Sequence, residues 1–229
     1  MSTDEVLHFI GSGSAFNPEM DNTSAWFCQN GMFFLLDCGE TVFGKIWNLP
    51  AFETASRIVV LLTHMHSDHV GSIGTLLSYC AMVVHKPVDI YYPSSALVPY
   101  LSMVGIKGSF YTQYVEIPKG WGIDVVPYPV EHAKDMDCFG YVLTLGGRKV
   151  YYSGDAADIP DVVLQQFLSG LIEHLYQDTC MEVSEHHCPL SLLEERIPLE
   201  HRSRVSAMHI SSKQSMEIIK EKGFQVVSV

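Results

Sequence analysis

The chain has 229 residues, 47% of them hydrophobic, and a formal net charge of -12. Length and apolar content allow one large domain with a full core, while the acidic balance disfavours long polyanions, so a small substrate is expected and a stable nucleic-acid complex is not. Six cysteines (Cys28, Cys38, Cys80, Cys138, Cys180 and Cys188) stand far apart without a C-x-x-C pair, which signals neither a zinc knuckle nor a disulfide framework and suits a reducing cytosol.

Residues 1–5 are polar and acidic, unlike a signal peptide, and no apolar run reaches membrane-spanning length, so a cytoplasmic protein without a membrane partner is expected. Short β-rich runs follow at 6–10, 24–29 and 32–37. The last two are joined by Asn30-Gly31, a strong signal for a two-residue hairpin. A strand at 57–63 leads into a helical pattern over 70–84, then a strand at 89–92, a helix at 96–104 and strands at 111–117 and 123–130. Strands at 139–145 and 149–153 flank Gly146-Gly147, a second hairpin. The remainder alternates: helix 160–168, opened by Pro160 where a missing N–H costs nothing, strand 171–176, helix 191–196, strand 205–210, helix 213–222 and strand 224–227. No linker, repeat or low-complexity tract divides 1–229, which reads as a single domain of two similar halves packed face to face. The expected class is α/β (α+β), a four-layered αββα sandwich with strand ends converging on one edge.

The run Thr63-His64-Met65-His66-Ser67-Asp68-His69 follows the apolar stretch Ile58-Val59-Val60-Leu61-Leu62. Three imidazoles and a carboxylate at the end of a strand are usual nitrogen and oxygen ligands of zinc and other borderline divalent ions, and groups this close are poorly satisfied without a cation. A histidine-rich surface turn is the plainer alternative, but H-x-H-x-D-H is a four-position match. Further candidates stand at other strand ends: His132 after 124–130, Asp155 after 149–153, and His209 near the end of the strand beginning at Val205. Each alone reads equally well as a capped or solvated strand end. Together they form the second half of a dinuclear site.

With these residues, and with Leu36-Asp37-Cys38-Gly39 and Ser153-Gly154-Asp155, the sequence resembles the metallo-β-lactamase superfamily over nearly its whole length. The resemblance implies that His64, His66 and His132 hold one metal and Asp68, His69 and His209 the other, with Asp155 bridging both. It implies that Asp37 orients a ligand rather than binding metal itself. Two Zn²⁺ ions are the expected cofactors, with Mn²⁺ or Fe²⁺ as alternatives. Diiron oxidoreductases of the superfamily carry Glu where this chain has His66, and true β-lactamases lack the bridging Asp, so a hydrolytic site other than an antibiotic-cleaving one is implied.

Gly11-Ser12-Gly13-Ser14-Ala15, Asn22-Thr23-Ser24 and Asp37-Cys38-Gly39-Glu40-Thr41 are similar to the opening motifs of the ribonuclease Z branch, and His187 followed by Met208-His209-Ile210-Ser211-Ser212 to its proton-donor and final ligand segments. His186 leaves that register open by one. No long glycine- and proline-rich insertion matches the branch's tRNA-clamping arm, so the chain looks most like compact bacterial and phage cyclic-nucleotide phosphodiesterases of the anti-Pycsar type. The resemblance implies hydrolysis of small phosphodiesters, 3′,5′-cyclic nucleotides first, by a metal-bridging hydroxide, with Asp68 and His187 as catalytic residues and His187 as the leaving-group acid. The alternatives are another hydrolase of the fold (an RNA or tRNA 3′-processing nuclease, a thioesterase or a lactonase) and a nucleotide-binding protein with weak or no catalysis. Tyr91, Tyr92, Tyr100, Phe110, Tyr111, Tyr114 and Trp121 make an aromatic stretch that reads as core or as the interface of a homodimer. Gly11-Ser12-Gly13-Ser14, with no helix directly after it, reads as a tight turn rather than a phosphate loop.

Overall fold

The computed structural model describes residues 6–229, so the acidic segment 1–5 lies outside the described residues. The chain forms two compact units, one built mainly from 21–123 and the other from 12–20 and 124–228.

The first unit holds a six-stranded mixed sheet of β1 (His8–Gly11), β2 (Ser24–Gln29), β3 (Met32–Leu36), β4 (Arg57–Leu61), β5 (Val88–Tyr91) and β6 (Thr112–Tyr114), in that spatial order. β1, β2 and β3 pair antiparallel and the rest parallel. The β2–β3 hairpin turns through Asn30 and Gly31, at φ 52° and 73°, as the Asn-Gly pair predicts. Its helices are α1 (Phe43–Ile46), α2 (Pro50–Thr54), α3 (Ser67–Val70), α4 (Ile73–Tyr79) and α5 (Leu97–Met103). The expected helix over 70–84 is thus broken: α3 stops before Gly71, and α4 passes into a π-turn at Cys80–Val84 that left-handed His85 ends. Every residue of β3 is buried, and Phe33 meets Phe52 edge-on at 5.6 Å. Tyr91, Tyr92 and Trp121 are also buried in this unit, so part of the aromatic stretch is core.

The second unit repeats the scheme with β7 (Asp124–Pro129), β8 (Phe139–Leu145), β9 (Arg148–Tyr152), β10 (His174–Asp178), β11 (Val205–Met208) and β12 (Gln225–Val226). Again three strands pair antiparallel and the following ones parallel. Gly146 and Gly147 make the hairpin at φ 59° and 86°. The helices are α6 (Asp161–Leu168), α7 (Leu190–Arg196) and α8 (Lys213–Glu221), whose N-cap Ser212 accepts the Ser215 amide at 3.2 Å. Tyr151, Phe167, Leu175, Leu193, Ile219 and Phe224 centre its core. The strand expected at 171–176 starts later and runs further, because Gly170 turns the chain at φ 83° and Leu171 is left exposed. Parallel neighbours lie about 4.8 Å apart, so residues just past the ends of β9, β10 and β11 stand side by side.

Candidate metal centre

In the first unit the site grows from β3 and β4. Asp37, one residue beyond β3, sits at φ 62° and donates its amide to Leu61 at 3.0 Å. This uncommon left-handed backbone turns its carboxylate inward, where it accepts the Thr63 amide at 2.8 Å and the Thr63 hydroxyl at 2.9 Å, and meets His69 Nδ1 at 2.9 Å. Asp37 is wholly buried; burial pushes its carboxyl upward, opposed by the His69 charge and hydrogen bond and by Thr63. His64 Nε2 lies 3.0 Å from His66 Nδ1, and His69 Nε2 lies 3.3 Å from Asp68 Oδ2. The expected ligands His64, His66, Asp68 and His69, with Asp37 behind them, therefore gather in one place. Gly39 secures it, since a Cβ there would stand 1.9 Å from the Asp68 carbonyl oxygen.

In the second unit, His132 follows β7, Asp155 follows β9 after Gly154 at φ 58°, and His209 follows β11 at φ 59°. His132 Nε2 and His209 Nε2 lie 3.6 Å and 3.4 Å from Asp155 Oδ2. His132 Nδ1 donates to the His186 carbonyl at 2.7 Å, which fixes its tautomer and leaves Nε2 toward Asp155. His186 Nδ1 in turn bonds the His132 carbonyl at 2.6 Å, so this ring clamps two backbone segments together. His187 instead enters the cluster, its ring stacked on His209 with centroids 4.9 Å apart.

Asp178 is the residue that sequence reasoning missed. It closes β10, two residues beyond the expected strand end, and is fully buried. Its Oδ2 accepts the Ala156 amide at 3.0 Å and meets His187 Nδ1 at 2.8 Å; its amide donates to Ser153 Oγ at 2.8 Å. Burial alone would lower the His187 pKa, but the hydrogen bond and charge of Asp178, with Asp155 beyond, carry it above the ordinary histidine value. A longer strand at this point, ending in a carboxylate beside the Asp155 strand, was the available signal.

Asp155, Asp178, His187 and His209 place ligand atoms within 4.8 Å of one another. Asp178 Oδ1 is buried 3.4 Å from His209 Nδ1 without forming a hydrogen bond. Two sequestered carboxylates among imidazoles are costly unless positive charge lies between them, so the donor set fits a metal. The glycine-serine segment does not cradle phosphate through Ser12 and Ser14: their amides are committed to the carbonyls of Met20 and Ile210. A Cβ on Gly11, the last residue of β1, would lie 2.3 Å from the Asn22 carbonyl oxygen, so only glycine lets these two backbone segments approach so closely.

The β-lactamase superfamily domain matches residues 33–226, and the chain belongs to that family. It is 26% identical over 231 residues to the anti-Pycsar protein Apyc1 of Bacillus phage 010DV004, covering 89% of this chain and 88% of that protein. A stretch of 92 residues, 38% of this chain and 29% of the relative, is 34% identical to ribonuclease Z of Shouchella clausii. Among solved structures, the metallo-β-lactamase fold protein YhfI from Bacillus subtilis superposes with a TM-score of 0.74 at 15% identity, over 96% of this chain and 94% of that one. The short form of human tRNase Z gives 0.69 at 17% identity, over 97% and 95%. Two mixed sheets flanked by helices make this the α/β metallo-β-lactamase sandwich, and with its His/Asp clusters the chain is a hydrolase of that fold whose donors imply metal ions.

Proposed function

We propose that the chain is a dinuclear metal-dependent phosphodiesterase acting on small phosphodiesters, 3′,5′-cyclic nucleotides above all. By resemblance to the family, His64, His66 and His132 would hold one ion and Asp68, His69 and His209 the other, with Asp155 serving both; imidazole and carboxylate sets suit zinc, with manganese or iron as alternatives. Bound there, zinc would lower the pKa of water from about 15.7 to roughly 7 and neutralise the phosphoryl oxygens.

The chain's own residues orient and supply protons. Asp37 holds His69 by Nδ1, and the His186 carbonyl holds His132 by Nδ1, so each ring presents Nε2 as donor. His187 keeps its Nδ1 proton on Asp178 and gives the Nε2 proton to the departing ribose oxygen, which would otherwise leave as a strongly basic alkoxide. That His187–Asp178 pair is the observation that carries the reading, because thioester and lactone hydrolysis need no such acid. Relatives matched over most of the chain include anti-Pycsar proteins, which supports the cyclic-nucleotide choice over a ribonuclease Z matched on a shorter stretch.

Turnover of cyclic and linear phosphodiesters, measured beside a thioester and a lactone with metal analysis on the same sample, tests the proposal. Hydrolysis of the thioester or lactone alone would reject it. We also propose a cytosolic setting, supported by six free cysteines and by the absence, among the described residues, of any helix long and apolar enough to cross a membrane. A homodimer is proposed from the apolar side chains of Val98, Met103, Val104 and Val115, all exposed in the first unit.

A further inference from the structure

Phe16 is 99% exposed, the most exposed large apolar side chain among the described residues. It stands on a short loop that is fixed at every turn. The Ser14 amide donates to the Ile210 carbonyl at 3.1 Å and the Ile210 amide to the Ser12 carbonyl at 2.7 Å, so Gly13 pairs with Ile210 as a one-residue bridge. Asn17 Nδ2 donates to the Ser211 carbonyl at 3.0 Å, and the Asn17 amide returns to the Ser14 carbonyl at 3.0 Å. Beyond the tip, Met20 is buried in the core of the second unit and its carbonyl accepts the Ser12 amide at 3.0 Å. Every one of these anchors on the far side belongs to the segment that begins at His209.

A flexible loop can turn a phenylalanine inward at little cost. In this one both flanks are tied to the backbone of Ile210 and Ser211, the residues that follow the candidate ligand His209, so the exposed Phe16 is carried on a fixed segment next to that part of the chain. Rigid loops that carry an exposed side chain next to a reaction centre are where recognition is expected. A nucleobase presents a flat π-face that stacks on an aromatic ring whatever its sequence identity, and proteins that grip nucleotides without base selection use such platforms. Resting on the phosphodiesterase reading above, we infer that Phe16 is the face on which the substrate's base stacks, which would make the enzyme selective for nucleoside phosphodiesters yet tolerant among bases.

The test compares 3′,5′-cyclic AMP with abasic ribose 3′,5′-cyclic phosphate on the metal-loaded protein. Phe16→Ala should lower the ratio of kcat/KM for the two substrates about tenfold, mostly through KM for cyclic AMP, and Phe16→Trp should restore it. An unchanged ratio in Phe16→Ala, or a Phe16→Trp variant as poor as Phe16→Ala, would overturn the inference while leaving phosphodiesterase activity intact; a loss of the dimer by light scattering alongside that unchanged ratio would assign Phe16 to a second copy instead. Binding of 5′-AMP, read by quenching of the indole in Phe16→Trp against the same titration of wild type, separates the two readings. Quenching without turnover of any phosphodiester would keep the stacking face and reject the activity, and neither quenching nor turnover would reject both.

Discussion

Asp178 joins two elements of the second unit through one oxygen: its Oδ2 accepts the Ala156 amide, next to Asp155, and meets His187 Nδ1 at 2.8 Å. The carboxylate therefore registers His187, the proposed proton donor, against the strand end that carries Asp155. His187→Ala should slow hydrolysis of 3′,5′-cyclic AMP about 10²-fold or more while slowing a p-nitrophenyl phosphodiester far less, since nitrophenolate leaves without help. Asp178→Asn should show the same leaving-group dependence at a smaller loss, roughly tenfold, because the amide can hold the ring but not its charge. Equal losses on both substrates with metal content intact would show that His187 positions rather than protonates.

If the proposed dinuclear reading holds, elemental analysis should give two ions per chain at saturation, since seven expected ligands exceed what one tetrahedral ion uses. Asp68→Ala should remove most activity and weaken retention of one ion, with the circular dichroism spectrum unchanged. Chelation of the wild type should abolish turnover, and added zinc or manganese should restore it. A single ion at saturation, or full activity in Asp68→Ala, contradicts the dinuclear assignment.

His174 opens β10, away from the metal cluster, and its Nε2 lies 2.8 Å from Ser206 Oγ. Burial, with Arg148 and Arg204 nearby, lowers its pKa from 6.5 to about 4. The unfolded chain takes up a proton where the folded one does not, so this contribution is complete above about pH 6.5 and is lost as pH falls toward 4, by at most about 3 kcal/mol. His174→Gln should flatten the decline of Tm between about pH 7 and pH 5. An undiminished slope would place the acid sensitivity elsewhere.

Light scattering at micromolar concentration should give the mass of a dimer, and Met103→Asp, placing a charge on a side chain 85% exposed, should yield monomer without lowering Tm. A monomeric wild type would refute pairing, as would a dimer indifferent to that charge together with Val104→Asp.

Much of the fold was legible because its signals are local. Asn30-Gly31 and Gly146-Gly147 demand left-handed backbone that only such residues adopt cheaply, and the alternation of strands with helices after β3 and after β9 follows from hydrophobic period. The H-x-H-x-D-H run could be read as a metal cluster because its ligands are neighbours in sequence as well as in space. Helix 70–84 was misjudged where apolar periodicity continues through a π-turn, a backbone change that does not alter which side chains are apolar.

Sequence alone determined the donor types and their spacing: which imidazoles and carboxylates stand at strand ends, and that the acidic chain suits a small substrate. Only the tertiary structure decided their partners. The choice between His186 and His187 depends on which ring meets a backbone carbonyl and which meets Asp178, and Asp178 itself is 23 residues from Asp155 in sequence yet lies on the neighbouring parallel strand. The left-handed turns at Asp37 and His209 carry only a weak residue signature, because Asp and His adopt that backbone more often than most residues but far less freely than glycine. Within each unit, parallel pairing brings strand ends together across long loops, and the energies that select it belong to buried contacts between distant segments rather than to any local stretch of chain.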